Sequence, residues 1–137
     1  MHYWLVKSEP FKWSWDQQVA AKTTLWDGVR NYQAANNLRA MKKGDLAFFY
    51  HSNEGKEIVG IAEISAEATP DKTDPTGKFV VVEVKAKEKL PRPVTLAEIK
   101  ADPALQDLAL IRQSRLSVVP VSAAHWAHIC KLAGVKA

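Results

Sequence analysis

The chain has 137 residues, 47% of them apolar and 25% charged, a composition that excludes disorder and collagen-like structure and fits one domain spanning residues 1–137. At this length a core forms without metal or disulfide support, and no run of about 18 apolar residues is present to span a membrane. The net charge of +4 sits in the two ends of the chain, with seven basic and four acidic groups in residues 1–50 and four and two in residues 101–137, a balance compatible with a polyanionic partner.

Tyr3 to Val6 is short, apolar and β-prone, and reads as a first strand ended by Glu9-Pro10. Ser14-x-x-Gln17 is a capping-box pattern, which predicts a short helix from Trp15 to Lys22. Thr23 to Trp26 is a brief extended piece closed by an Asp27-Gly28 turn, and Asn31 caps a helix through Ala40. Lys43-Gly44 turns the chain into a strand from Asp45 to His51, and Glu54-Gly55-Lys56 returns it as a second long strand from Ile58 to Glu67. The small residues Gly60 and Ala62 in that strand permit close approach of a neighbour. Thr69 to Lys78 is rich in Pro, Asp and Gly and reads as a loop, followed by a strand from Phe79 to Lys87. Leu90-Pro91-Arg92-Pro93 is extended because proline disfavours helix in the residue before it. Thr95-x-x-Glu98 caps a short helix, Asp102-Pro103 starts another, Leu116 to Val121 is a last strand, and Ser122 caps a final helix ending near Ala133-Gly134. The sum is an α+β chain of five or six strands, mostly joined as a meander, with short helices between them. Small antiparallel sheets of this kind curl into partial barrels. The helix-free stretch of strands from residue 45 to 87 disfavours a doubly wound sheet.

Familiar chemical motifs are absent. There is no Walker loop, no Gly-x-Gly-x-x-Gly and no Gly-x-Ser-x-Gly elbow, so no cofactor is expected. His2, His51, His125 and His128 lack the ligand spacing of known zinc motifs, so no metal site is expected either. The lone Cys130 and the lack of a signal-peptide layout in the first residues point to a reducing, cytoplasmic setting.

Four clusters of polar and aromatic residues fall at element ends, where a rigid scaffold commonly carries its site. They are Lys7-Ser8-Glu9-Pro10, Trp26-Asp27-Gly28-Val29-Arg30-Asn31-Tyr32, His51-Ser52-Asn53, and Arg112-Gln113-Ser114-Arg115-Leu116-Ser117. The mixture suits a base-binding pocket: an aromatic plane stacks on the base, amides and hydroxyls reach its edge, and Arg and Lys meet phosphate. Each cluster also has a plain structural reading. Lys7 with Glu9 fits an exposed ion pair, Trp26 a core indole, Asp27-Gly28 a simple turn, His51 a buried structural imidazole, and Arg112 with Arg115 a solvated helix end.

The same blocks, together with Trp4-Leu5-Val6-Lys7-Ser8-Glu9-Pro10 and Ile58-Val59-Gly60-Ile61-Ala62-Glu63, resemble the EVE domain, a member of the PUA-like superfamily related to YTH domains. The resemblance covers nearly the full length. Phe79 stands where many relatives carry tryptophan. The resemblance implies a PUA-like curved mixed β-barrel with short peripheral helices. It also implies a non-enzymatic nucleic-acid-binding module with a pocket for a methylated or otherwise altered base. On that basis Lys7 and Ser8 line the pocket and Trp26 forms its stacking wall. Asp27, Arg30 and Asn31, within the block that also holds Gly28, Val29 and Tyr32, offer polar contacts. His51, Ser52 and Asn53 close the opposite rim, and Arg112 and Arg115 contact phosphate with Ser117 nearby. The partner is DNA or RNA carrying a modified base. The rival reading is a small amidohydrolase acting on modified nucleosides, as some other PUA-like domains resemble, for which Lys7, Ser8 and Glu63 supply the residue types.

Overall fold

A computed structural model describes residues 1–135. Among them six strands and five short helices follow in the order β1 (Tyr3–Ser8), α1 (Trp15–Ala21), β2 (Thr23–Leu25), α2 (Tyr32–Ala40), β3 (Leu46–His51), β4 (Glu57–Pro70), β5 (Val80–Thr95), α3 (Leu96–Ala101), α4 (Ala109–Arg112), β6 (Val118–Val121) and α5 (Ala123–Ala133), with a 3-10 turn over Pro103–Leu105. The strands form one mixed sheet in the order β2-β5-β4-β3-β1-β6. β3, β4 and β5 are the expected antiparallel meander, but β1 lies parallel to β3, with Tyr3 opposite Leu46 and Ser8 opposite His51. The expected α+β class with six strands is present. The sheet is bent by four register shifts between β4 and β5 and keeps β2 and β6 as its two edges.

The helix starts follow local chemistry. Ser14 and Thr95 form complete capping boxes with Gln17 and Glu98, and Asn31 and Ser122 accept from Ala34 and His125 N–H. The strand limits depart from expectation. β4 runs on to Pro70, because Thr69 and Pro70 still face Val81 and Val80. β5 does not stop at Lys87 but continues to Thr95. Gly60 faces Lys89 while Ile58 faces Val94, so Leu90 to Pro93 oppose the single residue Val59. That bulge takes two prolines out of the ladder, where their missing N–H costs nothing. The last strand begins at Val118 rather than Leu116, after a turn closed by Leu116 N–H on the Gln113 carbonyl. Asp102-Pro103 yields only a 3-10 turn, and α4, which lacks a side-chain cap, carried no sequence signal.

Side chains alternate across β3, and this alternation defines the two faces of the molecule. Phe48 stacks on Trp126 of α5, with ring centroids 3.8 Å apart. Its neighbour Phe49 points the other way and takes the edges of Trp15 at 5.3 Å and Trp26 at 5.6 Å. Trp15 lies flat over the backbone of Gly60, which explains the glycine: a Cβ there would come within 2.6 Å of the indole carbons. At the far end of the sheet the buried Asp45 carboxylate accepts from Trp4 Nε1 at 3.0 Å, Lys42 N at 3.0 Å and His2 N at 3.2 Å, fixing the start of β1 beside the start of β3.

Candidate nucleic-acid interface

The parallel register of β1 on β3 sets what each side chain at the end of β1 can reach. Lys7 lies beside Tyr50 and Ser8 beside His51, so the two adjacent residues look onto opposite faces of the sheet. The four clusters therefore do not converge on one pocket. They divide among three openings.

The first opening, about 410 Å³, lies on the Phe49 face and is lined by Ser8, Lys12, Trp13, Thr24, Leu25, Trp26 and Asp27. Trp26 is 9% exposed: most of its ring packs against Phe49, and the rest borders the cleft. Its backbone N–H donates to the Val82 carbonyl at 2.8 Å, which ties the residue to β5. Trp13, absent from the sequence reading, is a second indole in the same cleft. Its Nε1 donates to Gln18 Oε1 at 2.9 Å, and the buried Gln18 in turn donates to the Lys22 and Val84 carbonyls. Ser8 Oγ donates to the Trp13 carbonyl. The Trp13 indole is thus held by Gln18 and the Trp26 indole by its packing on Phe49 before any ligand arrives. Trp13 was detectable in principle: it occupies the position before the Ser14 N-cap, where an apolar residue normally packs onto its own helix. Lys12 at the mouth is paired with Glu9 at 3.3 Å.

The Trp26–Tyr32 segment is locked from the other side by the β4–β5 connection. Asp71 and Asp74 each accept from the N–H and the hydroxyl of the threonine two residues on, giving two successive turns. The second oxygen of Asp71 accepts from Gly28 N at 3.0 Å and from Arg30 Nη1 at 3.0 Å, while Arg30 Nη2 reaches Thr73. Gly28 has φ of 77°, a left-handed conformation that suits glycine. The Val29 side chain is buried and its carbonyl takes another Arg30 bond. Tyr32 and the Arg30 guanidinium cover Phe79, with Tyr32 stacked at 5.2 Å.

Burial pushes the Asp71 carboxyl up, but the bonds from Thr73, Arg30 and Gly28 outweigh it and hold the group well below its ordinary 3.8. Asp74 is held at about 2, chiefly by the Thr76 hydroxyl. Folded values below the unfolded one mean that this stabilisation is complete above about pH 4 and is lost as pH falls through the folded values. Thermal melts between pH 2 and pH 7 should therefore show a steep acid limb below pH 4, and Asp71→Asn should flatten it and lower the plateau.

The second opening, about 370 Å³ and shallow, is lined by Asn31, Gln33, Arg112, Gln113, Ser114, Arg115 and Leu116. Gln33 donates to Gln113 across it at 3.1 Å, and the Asn31 oxygen is taken up by capping α2. Arg112 is held by Asp107 at 3.0 Å, whereas Arg115 has no carboxylate in ion-pair distance among the described residues. Ser117 contributes its carbonyl to Lys7 N–H at 2.9 Å.

The third opening, on the Phe48 face, holds Lys7, Ser52 and Asn53. His51 is separated from them by the same alternation. Its Nε2 accepts from Trp15 N–H at 3.0 Å, and burial lowers its pKa against the opposing pull of Glu57 and Asp16, so it is a neutral structural acceptor. Lys7, Ser8 and Glu63 do not assemble. Lys7 Nζ donates to the Ser114 carbonyl, Ser8 faces the opposite side, and Glu63 sits near Lys87 at 3.8 Å, opposite Leu46. Leu46 in turn faces Tyr3, so Glu63 lies four β1 residues from Lys7, about 13 Å along the sheet.

A comparison with family models matches residues 2–132 to the EVE domain. The chain belongs to the EVE domain family. This EVE domain is 60% identical to a solved protein from Rhodopseudomonas palustris, with a TM-score of 0.93 over 98% of this chain and 94% of that one. It is 38% identical to human thymocyte nuclear protein 1 over 154 aligned residues, covering 88% of this chain and 68% of that protein. The structure of human THYN1 in complex with 5-methylcytosine-containing DNA superposes with a TM-score of 0.92 at 34% identity over the whole of both chains. A YTH domain from Zygosaccharomyces rouxii, solved with N6-methyladenosine RNA, shares the fold at 18% identity and a TM-score of 0.59.

Proposed function

We propose that this EVE domain is a non-catalytic reader of a methylated base in nucleic acid, and that the base enters the cleft between Trp13 and Trp26. The observation that carries this reading is a pair of indoles, Trp13 bonded to Gln18 and Trp26 packed on Phe49, lining one opening of about 410 Å³. Stacking on one aromatic is worth about 1–3 kcal/mol, and drawing a base out of a duplex costs a few kcal/mol. Two indoles offset that cost where one barely does. A methyl group adds apolar surface to the sandwiched edge, while Ser8, Thr24 and Asp27 supply polar partners for the heterocycle. Asp27 in this cleft and Asn31 in the arginine-lined one are four residues apart, at most about 14 Å of chain. One extruded nucleotide and its neighbouring phosphate can therefore occupy both openings, with Arg115 free to meet the phosphate. The DNA-bound structure of human THYN1 supports methylcytosine in DNA as the first candidate.

The test is a panel of otherwise identical oligonucleotides carrying cytosine, 5-methylcytosine, adenine or N6-methyladenine, titrated at several salt concentrations. One methylated member should bind tighter than its plain counterpart at every salt, and all affinities should fall as salt rises. Equal affinity across the panel would remove the proposal. Mass spectrometry of the same samples tests the rival hydrolase, since a product from a modified nucleoside would reveal turnover.

A further inference from the structure

The third opening has a chemistry of its own. It is a cavity of about 410 Å³ on the face of the sheet away from Trp26. Lys7, Lys56 and Lys100 reach it from β1, the β3–β4 turn and α3, and among the described residues no carboxylate lines it. None of these lysines is in an ion pair among the described residues. Glu9, outside the lining, accepts from the Asn53 amide. The Lys56 carbonyl accepts from Leu96 N–H at 2.8 Å, which fastens the turn to α3 and holds the walls together.

Tyr50 supplies the second, independent observation. It is only 3% exposed, yet its hydroxyl bonds to nothing among the described residues. Among the described residues no sealed side-chain oxygen or nitrogen is left unpaired, so this hydroxyl opens onto the cavity. The apolar side of the lining comes from Leu96, Leu110 and Ile111.

We propose that this cavity is a binding site for a phosphate monoester, distinct from the base cleft, in which Tyr50 Oη donates to a phosphate oxygen flanked by Lys7, Lys56 and Lys100. A monoester carries close to two negative charges at neutral pH, which matches three ammonium groups better than the single charge of a backbone diester. Lysine binds phosphate as a point charge and needs no planar fork, which suits three chains arriving from different elements. Burial lowers the Lys7 pKa and raises that of Tyr50, so the tyrosine keeps its donor proton and an anion would relieve the lysine. The ester's body would lie on Leu96, Leu110 and Ile111. Two sources share this chemistry: a free mononucleotide and the 5′-phosphate of a nucleic-acid strand.

The probe is inorganic phosphate, titrated at constant ionic strength against chloride while amide resonances are followed. Saturable shifts at Ser52, Asn53 and Lys56 are expected, with affinity about tenfold weaker in Tyr50→Phe. The exposed Lys100→Ala should weaken it severalfold. A response that does not saturate, or that is unchanged in both variants, overturns the site. Competition by a 5′-phosphorylated but not a 5′-hydroxyl oligonucleotide assigns the strand end, competition by a free 5′-mononucleotide but neither oligonucleotide assigns the mononucleotide, and competition by none of the three overturns both sources. Competition by both oligonucleotides overturns the monoester in favour of a diester. Inorganic phosphate contains no base, so these results do not depend on base reading in the other cleft.

Discussion

Trp26→Ala is expected to bring methylated and plain oligonucleotides to the same affinity. The ring forms one wall of the proposed base cleft, and losing a stacked aromatic removes about 1–3 kcal/mol, or roughly 5- to 150-fold in affinity for the preferred ligand. The plain ligand, bound mainly through its phosphates, loses less, so the ratio collapses. Trp26 also packs on Phe49, and truncating a large buried aromatic costs about 3–5 kcal/mol of stability. Trp13→Ala is the companion measurement, because Trp13 is only partly buried and its removal disturbs the core less. Titrations of both variants against a methylated and a plain strand, with melting curves alongside, separate recognition from folding. A Trp13 variant that melts normally and still discriminates as well as wild type would contradict the two-walled cleft.

Gly60→Ala is expected to be the most damaging single-methyl change in the sheet. The added carbon would sit 2.6 Å from three carbons of the Trp15 ring. The indole has little room to retreat: its edge meets Phe49 at 5.3 Å and its backbone N–H is committed to His51. Overpacking of this kind costs about 1–3 kcal/mol. For a chain of this size that is a fall in Tm of roughly 3–12 °C. The double variant Gly60→Ala/Trp15→Phe should recover part of the loss, because the smaller ring frees the volume. A melting temperature within a degree of wild type would show that α1 shifts freely, and with it the Trp13 wall.

The parts of this fold visible in the sequence are those decided within a few residues. Ser14 with Gln17, Thr95 with Glu98, Asn31 and Ser122 each carry their capping partner nearby, so the starts of four helices could be placed. The limits of β4 and β5 could not, because they depend on which residues face one another across a bulged pair. The parallel placement of β1 beside β3 is also nonlocal, and it decides the site. Grouping Lys7 with Ser8 follows from their adjacency in the chain, but adjacency in a strand means opposite faces. Trp26 and Asp27 could be singled out by residue type. Trp13 stands at a recognisable position before a helix cap, but its place in the cleft depends on how α1 docks, with Gln18 reaching across to β5. Arg30 has the composition of a ligand contact, yet its guanidinium is engaged by Asp71 and Thr73, partners some forty residues downstream.

The sheet ends in two strands that make poor templates. β2 has only three residues, and β6 has four, with the exposed Pro120 among them. Proline offers no amide hydrogen to an incoming neighbour, and so short a rim gives little purchase for strand addition. Neighbouring copies of the chain are thereby discouraged from zipping together through their backbones.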